Sequence, residues 1–420
     1  MRYEPYKFIT ILFFYVILVS SFILWLPISH LEGASISFID SFFTATSALC
    51  VTGLNTIDFA NTFNFFGLTI IALLIQLGGL GIICAAILLF IKLGKKIGLK
   101  QRILIKNSFN LNSLKGIVKF VLSVFKITLG IELIGAILLF IRYIFNYNVF
   151  KSIFLSLFHS ISSFNNAGFD IISKYGLFDD YSKVVTMILI ILGGIGFLVI
   201  SEIVEKGFKT LSLQTKIVLL TTTLLLVFGS IGYLLTTELG LFDSIFLSVS
   251  TRTAGFCYWD LSSISNAGYI ISIFLMFIGA SPNSTGGGIK TVTFFVLILA
   301  IYSICRGRNF EIFKRRISNS TISKCLVVLL SAILIIFMAT FLICCFEPTL
   351  GIREIFFEII SAYATVGLSL GITSGLSVAS KIVLCIVMFI GRVGTLTLLS
   401  ILLKEDQKNI KYPEENIIVG

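Results

Sequence analysis

Thr44-Ala45-Thr46-Ser47-Ala48-Leu49-Cys50-Val51-Thr52-Gly53-Leu54 decides how this chain is read, because altered versions of it recur three times. They are Ser162-Ser163-Phe164-Asn165-Asn166-Ala167-Gly168-Phe169, Ser250-Thr251-Arg252-Thr253-Ala254-Gly255-Phe256 and Ser361-Ala362-Tyr363-Ala364-Thr365-Val366-Gly367-Leu368. Each puts a small or β-branched residue before a glycine and a large apolar residue after it. Each follows a short, half-apolar segment and precedes a long apolar run. One such loop is weak evidence. Four in the same setting are an internal repeat.

Outward from each loop, the hydrophobic pattern predicts a triplet: a long helix (M1), a short pore helix and a second long helix (M2). The predicted segments are 8–29, 38–50 and 64–92; 117–145, 149–165 and 183–204; 215–236, 240–252 and 266–304; and 324–346, 350–364 and 379–403. A dozen residues of helix reach roughly 18 Å, short of the roughly 30 Å of hydrocarbon in a bilayer. The short segments therefore enter and return. Irregular backbone at membrane depth survives only when buried in protein or lining a water-filled cavity, so four re-entrant loops imply a cavity. The expected fold is an all-α integral membrane protein, with four M1–pore helix–M2 repeats arranged pseudo-fourfold around one central cation pore. The repeat boundaries fall at 1–97, 98–210, 211–318 and 319–420.

Composition supports lipid as the solvent. The chain is 57% hydrophobic and 13% charged, with mean hydropathy +1.03, too apolar to cover a soluble surface. The apolar runs do not alternate, which argues against an outer-membrane barrel. The run from Phe8 to Ile28 exceeds a signal-peptide core and has no small-residue cleavage site, so it reads as a retained span.

The net charge of +11 is concentrated in a few loops, which favours orientation over nucleic-acid binding. Lys92, Lys95, Lys96, Lys100, Arg102, Lys106, Lys115 and Lys119 join the first triplet to the second. Arg306, Arg308, Lys314, Arg315 and Arg316 join the third to the fourth. Around the short segments the charges are mostly acidic: Glu32, Asp40, Asp58, Asp170, Asp179, Asp180, Glu238 and Asp243. The positive-inside rule places the basic loops and both termini in the cytoplasm of a multi-pass plasma-membrane protein.

The eight cysteines form no CxxC pair, and most sit in apolar runs as small buried side chains. His30 and His159 stand apart with no ligand cluster, so no metal centre is expected. No paired Asp or Ser-His set recurs at membrane depth, which argues against an enzyme.

A dehydrated K⁺ needs a ring of oxygens, and backbone carbonyls supply one without burying net charge. Aiming consecutive carbonyls at one axis needs backbone angles that glycine reaches at little steric cost. Pore helices entering from outside point their C-terminal ends, with partial negative charge, at the cavity.

These loops, the M1–pore–M2 repeat and Gly279-Ala280-Ser281-Pro282-Asn283-Ser284-Thr285-Gly286-Gly287-Gly288-Ile289-Lys290-Thr291 resemble the Trk/Ktr/HKT potassium transporter superfamily over nearly the whole chain. The length and the tail ending Asn416-Ile417-Ile418-Val419-Gly420 look most like its Ktr-type membrane subunits. The resemblance implies a K⁺ selectivity filter of Val51, Thr52, Gly53; Asn166, Ala167, Gly168; Thr253, Ala254, Gly255; and Thr365, Val366, Gly367. K⁺ would sit at the carbonyls of Gly53, Gly168, Gly255 and Gly367. Glycine rather than serine at position 53 implies K⁺ over Na⁺. The TVGYG run of tetrameric K⁺ channels is absent, implying fewer stacked sites.

The stretch 279–288 interrupts a predicted helix 266–304, because three glycines with Pro, Ser, Asn and Thr cannot hold a regular helix in lipid. The family reading is an intramembrane gate of Gly279, Ser281, Asn283, Ser284, Thr285, Gly286, Gly287 and Gly288, with Arg392 beneath the filter. The alternatives are a polar surface loop, and for Arg392 a structural pair with an acid or a carbonyl. Gly-Gly-Gly-Ile-Lys-Thr lacks the P-loop order and follows no strand, so it does not signal ATP. Arg252, one residue before the third filter, is expected behind it, paired with Glu132 or Glu358. His159 reads as a packing residue.

A coupled transporter of inverted repeats is disfavoured, because all four triplets run in one sense. The resemblance implies K⁺ as transported ion, with Na⁺ a candidate activator and no covalently bound cofactor. It also implies a homodimer and a cytosolic nucleotide-binding regulatory ring of the KtrA/TrkA type. The basic loops face that ring or anionic membrane lipid.

Overall fold

Apolar runs headed by Ser, Asp or Asn caps become helices close to where the sequence marks them. In the computed structural model, α1 (Pro5–Trp25), α2 (Phe38–Cys50) and α3 (Phe65–Leu80) make the first set. The second is α4 (Ile117–Tyr143), α5 (Val149–Phe164), α6 (Asp180–Ile195) and α7 (Phe197–Lys206). The third is α8 (Leu213–Thr236), α9 (Leu241–Thr253), α10 (Asn266–Phe277) and α11 (Thr291–Cys305). A two-stranded hairpin, β1 (Glu311–Ile312) with β2 (Arg315–Arg316), leads to α12 (Asn319–Phe346), α13 (Ile352–Ala364) and α14 (Val378–Val393). The structure describes residues 5–82, 116–208 and 210–395, with Cys84, Ile87, Leu88, Ile91, 97–99, Arg102, Ile103 and Lys106. Lys92, Lys95, Lys96, Lys100 and Lys115 of the basic stretch, and the tail from 396 to 420, lie outside the described residues.

The chain is an integral membrane protein built almost wholly of helices. Among the described residues, α4, α8 and α12 are each long and apolar enough to cross a bilayer, and α6 with α7 meets the same measure only when the two are taken together across a bend of 92°. The outward faces of the long helices stay apolar: Leu330, Leu334, Phe337 and Phe341 of α12 are all exposed. In lipid such a face has no cost.

The helices lock in a cycle. Each M2 packs on the pore helix of the next set: α3 on α5, α6 on α9, α10 on α13, and α14 back on α2. The last contact joins the end of the described chain to its beginning. The pore helices carry much of the buried polar content, including Thr44, Thr46, Ser47, Ser160, Ser162, Ser163 and Ser250.

The expected continuous helices 64–92, 183–204 and 379–403 are each broken. The breaks fall at Gly81, Gly196 and Gly394, with φ of 82°, 100° and 89°. A residue in that region ends a helix, and glycine takes it without Cβ strain. The third M2 breaks at the equivalent place over the longer stretch 278–290, as its composition predicts.

Candidate ion pathway

The four loop glycines meet. A Cβ added to Gly53 would collide with the carbonyl oxygen of Ala167, one on Gly168 with that of Ala254, one on Gly255 with that of Val366, and one on Gly367 with that of Thr52. The contacts run in chain order and close on themselves. All four glycines have positive φ, at 94°, 70°, 71° and 97°. Glycine is thus required twice over, for conformation and for space.

Three loops are turned by a left-handed residue two positions before the glycine: Val51 (φ 59°), Asn166 (φ 59°) and Thr365 (φ 50°). For a β-branched residue this costs on the order of 1–3 kcal/mol, which the surroundings must offset. They do so with hydrogen bonds. Thr52 N donates to Ser47 O at 2.8 Å, Ala167 N to Ser162 O at 2.8 Å and Val366 N to Ser361 O at 2.9 Å. Gly53 N and Gly367 N donate to Ser47 Oγ and Ser361 Oγ, both at 3.0 Å. The third loop differs. Its helix runs on through Thr253, Ala254 has φ −121°, and Ser250 Oγ instead donates to the Phe256 carbonyl at 2.5 Å. The first loop has its own departure: Asn55 Nδ2 donates to the Gly53 carbonyl at 2.9 Å.

The stretch 278–290 lies inside the protein, not on its surface. Ala280, Ser281 and Thr285 are fully buried. Gly279 packs directly on Gly287 and Gly288. Ser281 N and Thr285 N donate to the Gly194 and Gly193 carbonyls at 3.1 and 3.3 Å, and Phe197 N donates to Asn283 O at 2.8 Å. Those bonds fasten the stretch to the break between α6 and α7. Ser284 Oγ donates to Ser281 O at 2.6 Å, closing a turn, and Lys290 Nζ donates to Gly286 O at 2.7 Å. Thr285 Oγ1 donates to Phe164 O at 3.2 Å, and Gly287 N to Thr365 Oγ1 at 3.0 Å. The stretch therefore touches the second and fourth glycine loops through hydrogen bonds, and Gly286 packs on Thr253 of the third.

Arg392 ties this stretch to the first set. Its Nη1 donates to Thr285 O, and its Nη2 to Gly78 O and, at 3.4 Å, to Gly79 O. Its partners are backbone carbonyls of two different elements, and no acid pairs with it among the described residues.

Arg252 is buried in the last turn of α9, 4% exposed. The expected pairing with Glu132 or Glu358 is absent: no hydrogen bond or ion pair reaches its side chain among the described residues, and its Nε is unsatisfied. Glu132 instead takes Gln76 Nε2 at 3.1 Å and Asn165 Nδ2 at 2.9 Å, behind the second loop. Glu358 takes the Thr373 hydroxyl. Both acids sit on other repeats, already occupied by local donors. His159 is fully buried, with Nε2 2.9 Å from Thr186 Oγ1 and Nδ1 3.8 Å from Asp170 Oδ1.

Sequence reasoning missed two ion pairs at the N-terminal ends of two of the short helices. Lys381 Nζ lies 2.8 Å from Asp40 Oδ1, and Lys183 Nζ lies 3.0 Å from Asp243 Oδ1. Each joins an M2 to the next pore helix. Each acid also holds the loop three residues past the filter glycine: Thr56 Oγ1 donates to Asp40 at 2.8 Å, and Tyr258 OH donates to Asp243. A lysine in the first turn of an otherwise apolar helix is the signal that marks both.

Comparison with known proteins agrees with this architecture. The TrkH family model, described as "Cation transport protein", matches residues 6–242 and 238–412. The chain is 38% identical to the Ktr system potassium uptake protein B of Bacillus subtilis over 439 residues, covering 100% of this chain and 98% of that protein. It is also 38% identical to the potassium/sodium uptake protein NtpJ of Enterococcus hirae over 441 residues, covering 100% of this chain and 98% of that protein. In fold it resembles the potassium transporter TrkH from Vibrio parahaemolyticus, with TM-score 0.75 and 18% identity, covering 96% of this chain and 85% of that one. With its full length accounted for in these matches, this chain belongs to the TrkH family of cation transport proteins.

Proposed function

We propose that this chain is the ion-conducting subunit of a K⁺ uptake system. The carrying observation is the closed contact of Gly53, Gly168, Gly255 and Gly367, each against the carbonyl that precedes the next glycine. Such a ring offers oxygens from four chain segments at one level, enough to replace the hydration shell of a single cation. In this reading the filter is Val51–Gly53, Asn166–Gly168, Thr253–Gly255 and Thr365–Gly367, on four repeats divided near 97, 210 and 318. The full-length relatives named for potassium uptake support K⁺ as the cargo, and the potassium/sodium relative keeps Na⁺ as a second ion to test.

The stretch 279–288 is the gate, and Arg392 is its latch. The stretch crosses below the filter loops, touches three of them and is tethered from three sides. The orientation follows from charge, with the α11–α12 connection and both termini cytoplasmic. Control by a cytosolic nucleotide-binding ring, and assembly as a homodimer, complete the proposal, in keeping with a relative named as part of a Ktr system.

The test is ion flux into liposomes holding the purified protein, comparing K⁺ with Na⁺ for wild type and Gly53→Ser. K⁺-preferring flux that loses its preference in the variant supports the filter. Unchanged K⁺/Na⁺ preference in an active variant overturns it.

A further inference from the structure

The hairpin between α11 and α12 is not explained by ion conduction. Its strands pair Glu311 with Arg316 and Ile312 with Arg315, around a turn of Phe313 and Lys314. Both turn residues are left-handed, with φ of 50° and 59°, the geometry of a tight two-residue hairpin that normally selects Asn or Gly. Packing holds it. Ile317 and Phe310 close its base with a 2.8 Å hydrogen bond and pack with Val296, Leu297 and Ala300 of α11. The turn is thereby set against the start of α8, where Lys216 Nζ lies 5.8 Å from the Phe313 ring centroid.

Between hairpin and helix is a cleft of about 420 Å³, lined by Leu211, Leu213, Lys216, Phe313, Lys314 and Arg315. Three lining residues are cationic, and none is in an ion pair among the described residues. The positive end of α8 is already satisfied: Glu202 accepts from Ser212 N at 3.0 Å, from Ser212 Oγ at 2.7 Å and from the Thr215 hydroxyl. The cleft's charge is therefore that of its side chains. Leu211, Leu213 and Phe313 give it a smaller apolar part beside the cations.

Position selects the ligand. The helix α8 spans a bilayer by length and composition, so its first turn lies at a hydrocarbon boundary. Lys216, one turn in, carries its charge to the level of the headgroups. A soluble anion has no use for Leu211, Leu213 and Phe313, whereas a lipid brings a phosphate and an acyl chain joined at that spacing. Basic pockets between spanning helices on the cytoplasmic side suit anionic headgroups. We propose that this cleft binds the phosphate of an anionic phospholipid of the cytoplasmic leaflet and so anchors the α11–α12 connection below the third repeat. The side of the membrane, though not the cleft itself, rests on the orientation proposed above.

The experiment is thermal unfolding of the delipidated full-length protein titrated with phosphatidylglycerol, phosphatidylcholine or inorganic phosphate, with bound lipid counted by native mass spectrometry. Wild type is compared with Lys216→Gln/Lys314→Gln, with Arg315→Gln, and with Lys119→Gln/Lys126→Gln, which removes two exposed lysines from α4. The expected result is protection by phosphatidylglycerol alone. The cleft double variant should need about tenfold more of it. Arg315→Gln should move the same way, and the α4 variant should match wild type. A cleft variant that titrates like wild type overturns the proposal. Equal protection by inorganic phosphate assigns the site to a soluble phosphate and overturns the lipid. The flux assay reads neither outcome, so the two proposals fail separately.

Discussion

Lys381 reaches Asp40 across 341 residues of sequence, Nζ to Oδ1 at 2.8 Å, and so joins the last M2 to the first pore helix. Lys183 and Asp243 repeat the arrangement between the second M2 and the third pore helix. The other two junctions have no such pair among the described residues. There Phe65 meets Phe154 at 4.4 Å between ring centroids, and Tyr269 OH donates to Arg353 O at 2.9 Å. The cycle is thus held by ionic contacts at alternate joints.

Removing one partner of a largely buried pair strands the other, at about 3 kcal/mol. Lys381→Met is expected to lower the thermal midpoint clearly, and Lys381→Met/Asp40→Asn to recover much of the loss. Unfolding followed by intrinsic fluorescence in detergent reads the cycle. Strictly additive effects would show that the two residues do not support each other.

Arg392 donates from both guanidinium nitrogens to carbonyls on separate elements, Thr285 and Gly78. Each charge-assisted bond is worth roughly 1.5–3 kcal/mol, so, if the proposed gate holds, losing one shifts its closed-to-open balance by roughly ten- to a hundredfold. Arg392→Gln should raise K⁺ flux in liposomes. Arg392→Lys keeps the charge but cannot span both carbonyls, and it should also raise flux, though less. Wild-type flux in both variants would remove Arg392 from the gate.

Asn55 Nδ2 fixes the Gly53 carbonyl at 2.9 Å, a bond with no counterpart at Gly168, Gly255 or Gly367 among the described residues. Asn55→Ala releases that oxygen to swing. K⁺/Na⁺ preference should fall several-fold while the protein stays folded, since one part-buried neutral hydrogen bond is worth about 1 kcal/mol. A flux ratio equal to wild type would show that the neighbouring loops alone hold the carbonyl.

The short helices were legible because each is bounded by polar residues on one side and a glycine loop on the other. Phe38–Cys50 matches the predicted 38–50, and Val149–Phe164 falls within 149–165. The break in the third M2 was legible from its glycines and proline, but those at Gly81, Gly196 and Gly394 were not, because an apolar run looks the same whether or not it turns. A signal was present in Gly78-Gly79-Leu80-Gly81, Gly193-Gly194-Ile195-Gly196 and Gly391-Arg392-Val393-Gly394, each with glycines three apart. The first glycine of each group lets the M2 lie against the carbonyl of Leu49, Phe164 or Tyr363, and the last ends the helix. Arg252 failed for another reason. Sequence separation does not say which buried acid is near a buried base, and Glu132 and Glu358 both find local donors first.

That leaves Arg252 as a charge 4% exposed with no described partner. An unpaired buried charge costs several kcal/mol, and replacing it with an apolar side chain of similar length removes that cost. Arg252→Met is therefore expected to hold or raise the thermal midpoint, where most buried substitutions lower it. Arg252→Ala, which also opens a cavity, should lower it by comparison. The same Met variant removes a positive charge from beside the third filter loop, so K⁺ should compete more strongly for the pore, seen as a lower half-saturating K⁺ concentration in the flux assay. If Arg252→Met instead loses more than about 2 kcal/mol, on the scale of a broken buried pair, the arginine has a partner in the assembled protein, and the third loop is braced by it after all.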